Sequence, residues 1–251
     1  MRDPSLWLIL SVGLTFFLAG IVKGVTGMGL PTVAMGVLGT LMTPVTAAAL
    51  LIVPSFVTNV WQLATGPSFT ALIRRLWPMM LGIVVGTVAG SFVLADGNTR
   101  WTTAGLGFAL VVYAGFTLLA RQLSVPPRLE NWLSPLVGLT TGAVTGGTGV
   151  FVIPAVPYLQ ALGLRKDDLI QALGLSFTVS TIALAAGLGW RGAFQLDGLL
   201  LSSLAIAPAL IGMWLGQRVR RRVSPETFRR WFLIGLLLLG AELVLKSVLA
   251  A

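Results

Sequence analysis

The chain alternates long apolar runs with short polar connections along most of its length. The longest runs are each close to 20 residues, at 45–64, 76–95, 101–120, 169–190, 199–215 and 228–249. A helix of about 20 residues crosses the ~30 Å hydrocarbon layer of a membrane, because each residue rises ~1.5 Å. Strands of a membrane barrel would be ~10 residues long with alternating apolar and polar positions, and these runs show neither feature. The pattern predicts an all-α polytopic integral membrane protein.

Two further apolar stretches are interrupted by glycine and proline. The first contains KGVTGMGLP at 23–31, and the second contains TGGTGVFVIP at 145–154. In the second stretch the apolar leg before the glycines covers only 132–144, which would rise about 20 Å and would be too short to cross the membrane. We therefore predict a broken, re-entrant helix over 11–42 and another over 132–163. Broken backbone at membrane depth requires protein or a water-filled cavity to satisfy it.

The two halves of the chain carry the same motifs in the same order. GIVKGVTGMG at 20–29 resembles GLTTGAVTGGTG at 138–149, an alignment that places Thr26 opposite Thr145 and Lys23 opposite Thr141. Later, PMMLGIVVG at 78–86 matches PALIGMWLG at 208–216. These matches indicate an internal repeat.

The repeat predicts how the chain is divided. We expect an N-terminal transmembrane repeat at 1–121, a polar linker at 122–131 and a C-terminal transmembrane repeat at 132–251. Each repeat would contain one glycine-broken segment followed by three transmembrane helices. An odd number of crossings would invert the second copy relative to the first, which is a common plan in secondary transporters.

The basic residues allow a test of this topology. If each broken segment returns to the side from which it starts, the residues flanking the spans divide 12 to 4 between the two sides. If each broken segment crosses the membrane, the division becomes about 9 to 7. The positive-inside rule favours the first arrangement. The net charge of +9 is therefore a topology signal, and we expect no nucleic-acid partner.

Composition limits the chemistry that the chain can perform. Charged residues make up 10% of the chain and cysteine and histidine are absent, so disulfides, thiolate chemistry and the commonest metal ligand are excluded. The sequence shows no nucleophile–base pair, carboxylate dyad or phosphate-binding loop. We predict a protein that is not an enzyme and that has no cofactor and no metal site.

The glycine-rich breaks are the candidate binding sites. A helix break exposes backbone N–H groups, and the following half-helix presents its positive end, so an anion is the natural ligand. The predicted substrate-binding residues are Lys23, Thr26, Gly27 and Gly29 at the first break, Thr145, Gly146, Gly147, Thr148 and Gly149 at the second, and Asn59, Gln62, Gln171 and Ser176 in the runs that follow.

Each of these residue types also has a plainer structural interpretation. The glycines could serve only to let helices pack closely. Lys23 could extend its side chain from a helix end to the membrane surface. Serine and threonine hydroxyls in membrane helices often bond their own backbone.

The motifs K-G-x-T-G-x-G-x-P at 23–31 and T-G-G-T-G at 145–149, in a duplicated chain, resemble the TauE/SafE family of sulfite exporters and organosulfonate permeases. The resemblance implies a secondary transporter of the bacterial inner membrane that moves sulfite or an organosulfonate such as sulfoacetate by alternating access. Where we expect G-x-G-G-G at the second break, this chain has Thr148 within the motif. A small-anion channel and a structural membrane protein are the alternatives. The sequence leaves open a coupling ion, proton or sodium, and a homo-oligomeric state; the other partner is membrane lipid.

Overall fold

The computed structural model describes residues 6–119, 123–193, 196–220 and 224–249. These residues form α-helices and no β-strand. The helices are α1 (Leu6–Thr26), α2 (Leu30–Leu41), α3 (Pro44–Ala64), α4 (Phe69–Asp96), α5 (Thr99–Leu119), α6 (Pro127–Thr148), α7 (Ala155–Ala161), α8 (Lys166–Trp190), α9 (Leu196–Leu204), α10 (Ile206–Val219) and α11 (Pro225–Leu249).

Within the described residues, seven helical stretches are long and apolar enough to cross a membrane. They are α1, α3, α4, α5, α8, α11 and the combined stretch Gly198–Val219 in α9 and α10. Large apolar side chains such as Trp7, Trp77 and Trp132 are exposed on the outside, where lipid would cover them. The prediction of an all-α, multi-pass membrane protein is confirmed.

Both helix breaks occur at the predicted glycines. α1 ends at Thr26, and Gly27 and Gly29 follow with φ angles of 79° and 98°. α6 ends at Thr148, and Gly149 follows with φ of 73°. Glycine suits this left-handed conformation because it has no Cβ to clash with the backbone.

The leg before the second break is longer than predicted. α6 begins at Pro127, inside the predicted linker, and its 22 residues rise about 33 Å. The helix therefore begins five residues before the predicted start at 132, although α6 is not among the seven described stretches that are long and apolar enough to cross a membrane. Charged residues in its first turn do not end the helix, because Glu130 pairs with Arg75 of α4 at 2.5 Å.

α6 packs against α4 through glycines on both helices. A Cβ added to Gly86 would lie 2.2 Å from the carbonyl oxygen of Leu139, and one added to Gly142 would lie 2.4 Å from that of Ile83. Gly82 meets Gly138 one turn earlier. The contacts advance together along both helices, so α4 and α6 run in the same direction with their backbones in direct contact.

α1 and α10 form a second close pair of the same kind. A Cβ on Gly20 would meet Ala209, and one on Gly24 would meet Met213, so these two helices are also parallel. α4 and α8 are also parallel, since Ser68 contacts Gln171 near their starts whereas Ser91 contacts Gly187 near their ends. α3 and α8 are antiparallel. In α3 and α8, Asn59 reaches Thr181 whereas Gln62 reaches Ile170.

α5 and α11 are antiparallel as well, since Gly36 of α2 meets Leu110 and Leu239 whereas Gly39 meets Leu106 and Leu243. Lys23 contacts Thr58 and, four residues later in both segments, Gly27 contacts Gln62. α1 and α3 therefore run in the same direction and start from the same side of the membrane. The segment from α1 to α2 therefore returns to the side from which it began. The predicted inverted repeat requires this pattern of directions, and the repeat itself stays a prediction.

These directions place most basic residues at one face of the molecule. The starts of α4, α6, α8 and α11 and the end of α10 meet there, with Arg74, Arg75, Arg128, Arg165, Lys166, Arg218, Arg220, Arg229 and Arg230. We call this the basic face. The opposite face has Arg100, Arg191 and Lys246. Arg2, Arg121, Arg221 and Arg222, which the sequence-based count also used, lie outside the described residues.

Candidate anion-binding site

Lys23 lies in α1, one turn before the first break, and its side chain is buried with 2% exposure. Its Nζ donates hydrogen bonds to Thr58 Oγ1 at 3.2 Å and to Asn59 Oδ1. Both acceptors are neutral, and no carboxylate of the described residues forms an ion pair with Lys23. A buried ammonium without a counter-charge costs several kcal/mol. This group is therefore positioned to attract an anion.

α3 holds the two acceptors of Lys23 in fixed orientations. Thr58 Oγ1 donates to the carbonyl of Pro54 at 2.8 Å, which leaves its lone pairs for the ammonium. Pro54 cannot donate to Leu50 as a helical residue normally would, and Ser202 Oγ supplies a donor to the Leu50 carbonyl at 2.7 Å. The Leu50 carbonyl, which the proline leaves without its usual helical donor, is therefore hydrogen-bonded in spite of the proline.

Asn59 lies in α3 and contacts both α1 and α8. Its Nδ2 donates to Thr181 Oγ1 at 3.4 Å, and Thr181 Oγ1 in turn donates to the Phe177 carbonyl. An amide whose nitrogen is held in this way directs its oxygen towards Lys23. The structure therefore brings the predicted residues Lys23 and Asn59 into direct contact.

Gln62 connects the first break to α8. Its Nε2 donates to the carbonyls of Gly27 at 2.9 Å and Ile170 at 2.8 Å. Unwound backbone needs such partners at membrane depth. Gln62 consequently holds Gly27 in place next to Lys23.

A cleft of about 510 Å³ leads to Lys23, which lies among its lining residues with Gly24, Gly27, Gln62, Ile170 and Met213. Trp61 and Thr65 near the end of α3, and Gln217 and Arg220 near the end of α10, complete the lining. The end of α10 belongs to the basic face, and the end of α3 leads directly into the start of α4 there. The cleft therefore extends between the buried ammonium and the basic face, with a second cation, Arg220, among its lining residues.

The second break uses the same local hydrogen bonds as the first. Gly27 N–H donates to the Lys23 carbonyl, and Gly149 N–H donates to the Thr145 carbonyl, both at 2.7 Å. The hydroxyls of Thr26 and Thr148 each donate to the carbonyl four residues earlier and accept from the amide two residues later. Structurally Thr26 corresponds to Thr148, and Lys23 to Thr145. This register differs from the sequence alignment, which paired Thr26 with Thr145.

The polar groups of the second break bond mainly within their own segment. Thr145 Oγ1 lies 2.8 Å from the Thr141 carbonyl and 3.3 Å from that of Val150. The residues that follow, Val150 to Val152, are completely buried. The described hydrogen bonds do not join the predicted residues at 145–149 to Lys23.

Two predicted residues have evident packing roles. A Cβ on Gly146 would lie 2.3 Å from the Thr87 carbonyl oxygen, so this glycine permits the close contact between α6 and α4. Gln171 is fully engaged with the connection between α3 and α4: its amide donates to the carbonyls of Leu63 and Gly66, and its Oε1 accepts from Ser68 N–H at 2.7 Å. Gly147 has open space where a Cβ would lie.

Several hydroxyls in the interior have no hydrogen-bond partner among the described residues. The predicted residue Ser176 is one, and Ser55, Ser180, Thr32, Thr87 and Thr141 are others. Most buried polar groups in proteins are hydrogen-bonded, so these hydroxyls are exceptions among the described residues.

Sequence reasoning did not select Thr58, Gln217 and Arg220 for the site. Thr58 precedes Asn59 in an apolar run, but the sequence does not indicate that both residues hydrogen-bond Lys23. Arg220 belongs to the basic run assigned to topology, and its place in the cleft depends on the pairing of α10 with α1. No local signal in the sequence reveals that pairing.

Comparison with known proteins gives one family. Residues 12–243 match the family model described as sulfite exporter TauE/SafE, which covers most of the chain. Neither the comparison with curated proteins nor that with solved structures found a match.

Proposed function

We propose that this chain, which belongs to the TauE/SafE family of sulfite exporters, is a secondary transporter that binds a small sulfur oxyanion at Lys23. The substrate is sulfite or an organosulfonate, and transport proceeds by alternating access. The observation that carries the proposal is the buried Lys23 ammonium, whose acceptors Thr58 and Asn59 are both neutral. An oxyanion would provide the missing counter-charge.

The chemistry of Lys23 fits an oxyanion. An ammonium has three N–H donors, and Thr58 and Asn59 accept from two directions, which leaves donor capacity for a substrate oxygen. A charge-assisted hydrogen bond in a site with little water is stronger than one between neutral groups. Gln62 and the backbone around Gly27 would form the adjoining wall.

The cleft gives the anion a path from the basic face. By the positive-inside rule this face is cytoplasmic, and positive potential at a cleft raises the local concentration of anions. Arg220 among the lining residues and Lys23 at depth would draw an anion inward. Loading from the cytoplasm agrees with export, and we place the protein in the bacterial inner membrane.

The proposed alternation uses the two halves as inverted units. In secondary transporters of this plan, one repeat rocks against the other around a site formed by broken helices. Here each broken helix packs closely on a helix of the other half, α1 on α10 and α6 on α4. A movement of one half would therefore displace the break of the other.

The experiment is counterflow of labelled sulfite in proteoliposomes containing wild type, Lys23→Met or Lys246→Met. Lys246 is the matched control because it is a lysine in an apolar helix, exposed and paired with Glu242. Trans-stimulated exchange that is lost in Lys23→Met and kept in Lys246→Met would support the proposal. Equal exchange in both variants would refute the assignment of Lys23.

Two further results would redirect the proposal. Steady anion current without counterflow would indicate a channel. If wild type exchanges sulfoacetate or thiosulfate but not sulfite, the substrate is a different sulfur anion, and the Lys23 comparison is repeated with that anion.

A further inference from the structure

Two adjoining cavities lie near the basic face, beside the ends of α5 and α7 and outside the Lys23 cleft. One has a volume of about 270 Å³, and we call it the slot; its lining includes Val112, Phe116, Val125 and Pro157. The other has a volume of about 470 Å³, and we call it the basic pocket; its lining includes Thr117, Gln160, Lys166 and Arg229. Phe116, Leu123, Pro157 and Ala161 belong to both linings. The two cavities therefore lie on either side of a shared wall.

The basic pocket has the groups that bind a phosphate. Lys166 and Arg229 form no ion pair within the part of the chain that the structure describes. Thr117 Oγ1 is buried and likewise has no partner among the described residues. Two cations, a hydroxyl donor and the Gln160 amide provide charge-assisted and neutral donors for phosphate oxygens.

The slot has the opposite character. Its wall consists of aliphatic and aromatic side chains, with proline at 154 and 157. The hydroxyl of Tyr113, which also lines it, is directed to Met28 Sδ at 3.5 Å. A free inorganic anion gains nothing from such a cavity, whereas an acyl chain gains by burial of its methylene groups.

We propose that the two cavities together bind one anionic phospholipid, with its phosphate between Lys166 and Arg229 and one acyl chain in the slot. Basic pockets between helices on the cytoplasmic side of membranes suit anionic headgroups. Charge complementarity and apolar complementarity are thus present side by side. A zwitterionic lipid lacks the net negative charge, and a free anion lacks the chain.

The position of the slot gives the lipid an effect on the transporter. Ile153 and Pro154, which follow the second break, belong to its wall. An acyl chain bound in the slot would contact this segment. The lipid would therefore stabilise the second break, whereas the proposed anion binds beside the first.

The test measures binding of phosphatidylglycerol to the full chain in nonionic detergent by native mass spectrometry, with phosphatidylcholine as the reference lipid. A Lys166→Gln/Arg229→Gln double variant removes both cations of the pocket. The matched control is Arg74→Gln/Arg128→Gln, which removes two exposed charges from the same basic face. Val112→Trp fills the slot from a partly exposed position, and Leu123→Trp replaces it if that variant does not fold.

We expect phosphatidylglycerol to bind more tightly than phosphatidylcholine. Each basic residue near a membrane surface contributes about fivefold to the binding of an anionic lipid, so the pocket double variant should lose about 25-fold and the control double variant much less. Filling the slot should weaken binding as well. Equal binding of the two lipids, equal loss in both double variants, or full competition by free phosphate with no effect of Val112→Trp would each overturn the proposal.

Discussion

The two helix breaks share one backbone geometry but differ in the residue at the equivalent position. At the first, Lys23 is bonded to α3 and reached by a cleft. At the second, Thr145 bonds only within its own segment, followed by fully buried apolar residues. Each break is formed by a threonine whose hydroxyl bonds to the last helical turn and by glycine in the left-handed conformation. Neither residue type carries a charge. The difference agrees with our proposal, in which the break is a structural device and the lysine makes one copy a binding site.

The largest expected effect comes from removing the charge that distinguishes the two breaks. Lys23→Met should lower the counterflow of sulfite about 100-fold, since a hydrogen bond to a charged group contributes up to about 3 kcal/mol. Thr145→Val, a change of similar shape at the equivalent position, should leave counterflow within about threefold. The measurement is the initial rate of labelled sulfite exchange. A loss in Thr145→Val as large as that in Lys23→Met would show that the second break contributes equally.

The next prediction concerns the close helix packing that both broken helices share. Gly24→Ala would place a Cβ 2.2 Å from the Met213 carbonyl oxygen, and Gly146→Ala would place one 2.3 Å from that of Thr87. Each should reduce the free energy of unfolding by about 1–3 kcal/mol, because the helix pair must separate. Thermal unfolding in detergent measures this.

Gly13→Ala is the control for the glycine variants, since it lies in α1 with open space where the Cβ would be. Its stability should equal or exceed that of wild type, because alanine favours a helix over glycine by ~1 kcal/mol. Unchanged stability in either Gly24→Ala or Gly146→Ala would contradict the close packing.

A carboxylate placed beside Lys23 tests whether the ammonium at the first break binds the substrate anion. Asn59→Asp would give the ammonium an internal counter-charge at the position of its present acceptor. The variant should stay as stable as wild type and raise the KM for sulfite about tenfold, an effect of ~1.4 kcal/mol, as the fixed carboxylate competes with the substrate. Counterflow at varied sulfite concentration, together with thermal unfolding, separates these effects. An unchanged KM would argue against anion binding at Lys23.

The smallest effect on transport is expected at Gln171. Its amide nitrogen and oxygen are occupied by the backbone of residues 63–68, so Gln171→Leu should cost stability, at about 1 kcal/mol for each lost bond. The KM for sulfite should change little. A several-fold rise in KM with normal stability would place Gln171 in the substrate site, as the sequence suggested.

Much of the fold could be predicted because it depends on local sequence. Apolar runs near the length of a membrane span predicted the long helices, and glycines with positive φ stand where the breaks were expected. The start of α6 could not be predicted, since Glu130 is accommodated by Arg75, 55 residues away in the chain. Hydropathy alone treats such a residue as the end of an apolar helix.

The sequence by itself determined that this is a multi-pass membrane protein, that its helices break at 27–29 and near 149, and that a lysine precedes the first break. Tertiary structure decided that Asn59 and Thr58 hold that lysine, that Gln171 supports a connection, and that Arg220 lies in the cleft. The physical reason is the range of the interactions. Helix formation and glycine conformation depend on neighbouring residues, whereas the partners of Lys23 are 35 and 36 residues away and meet it only when α1 packs beside α3.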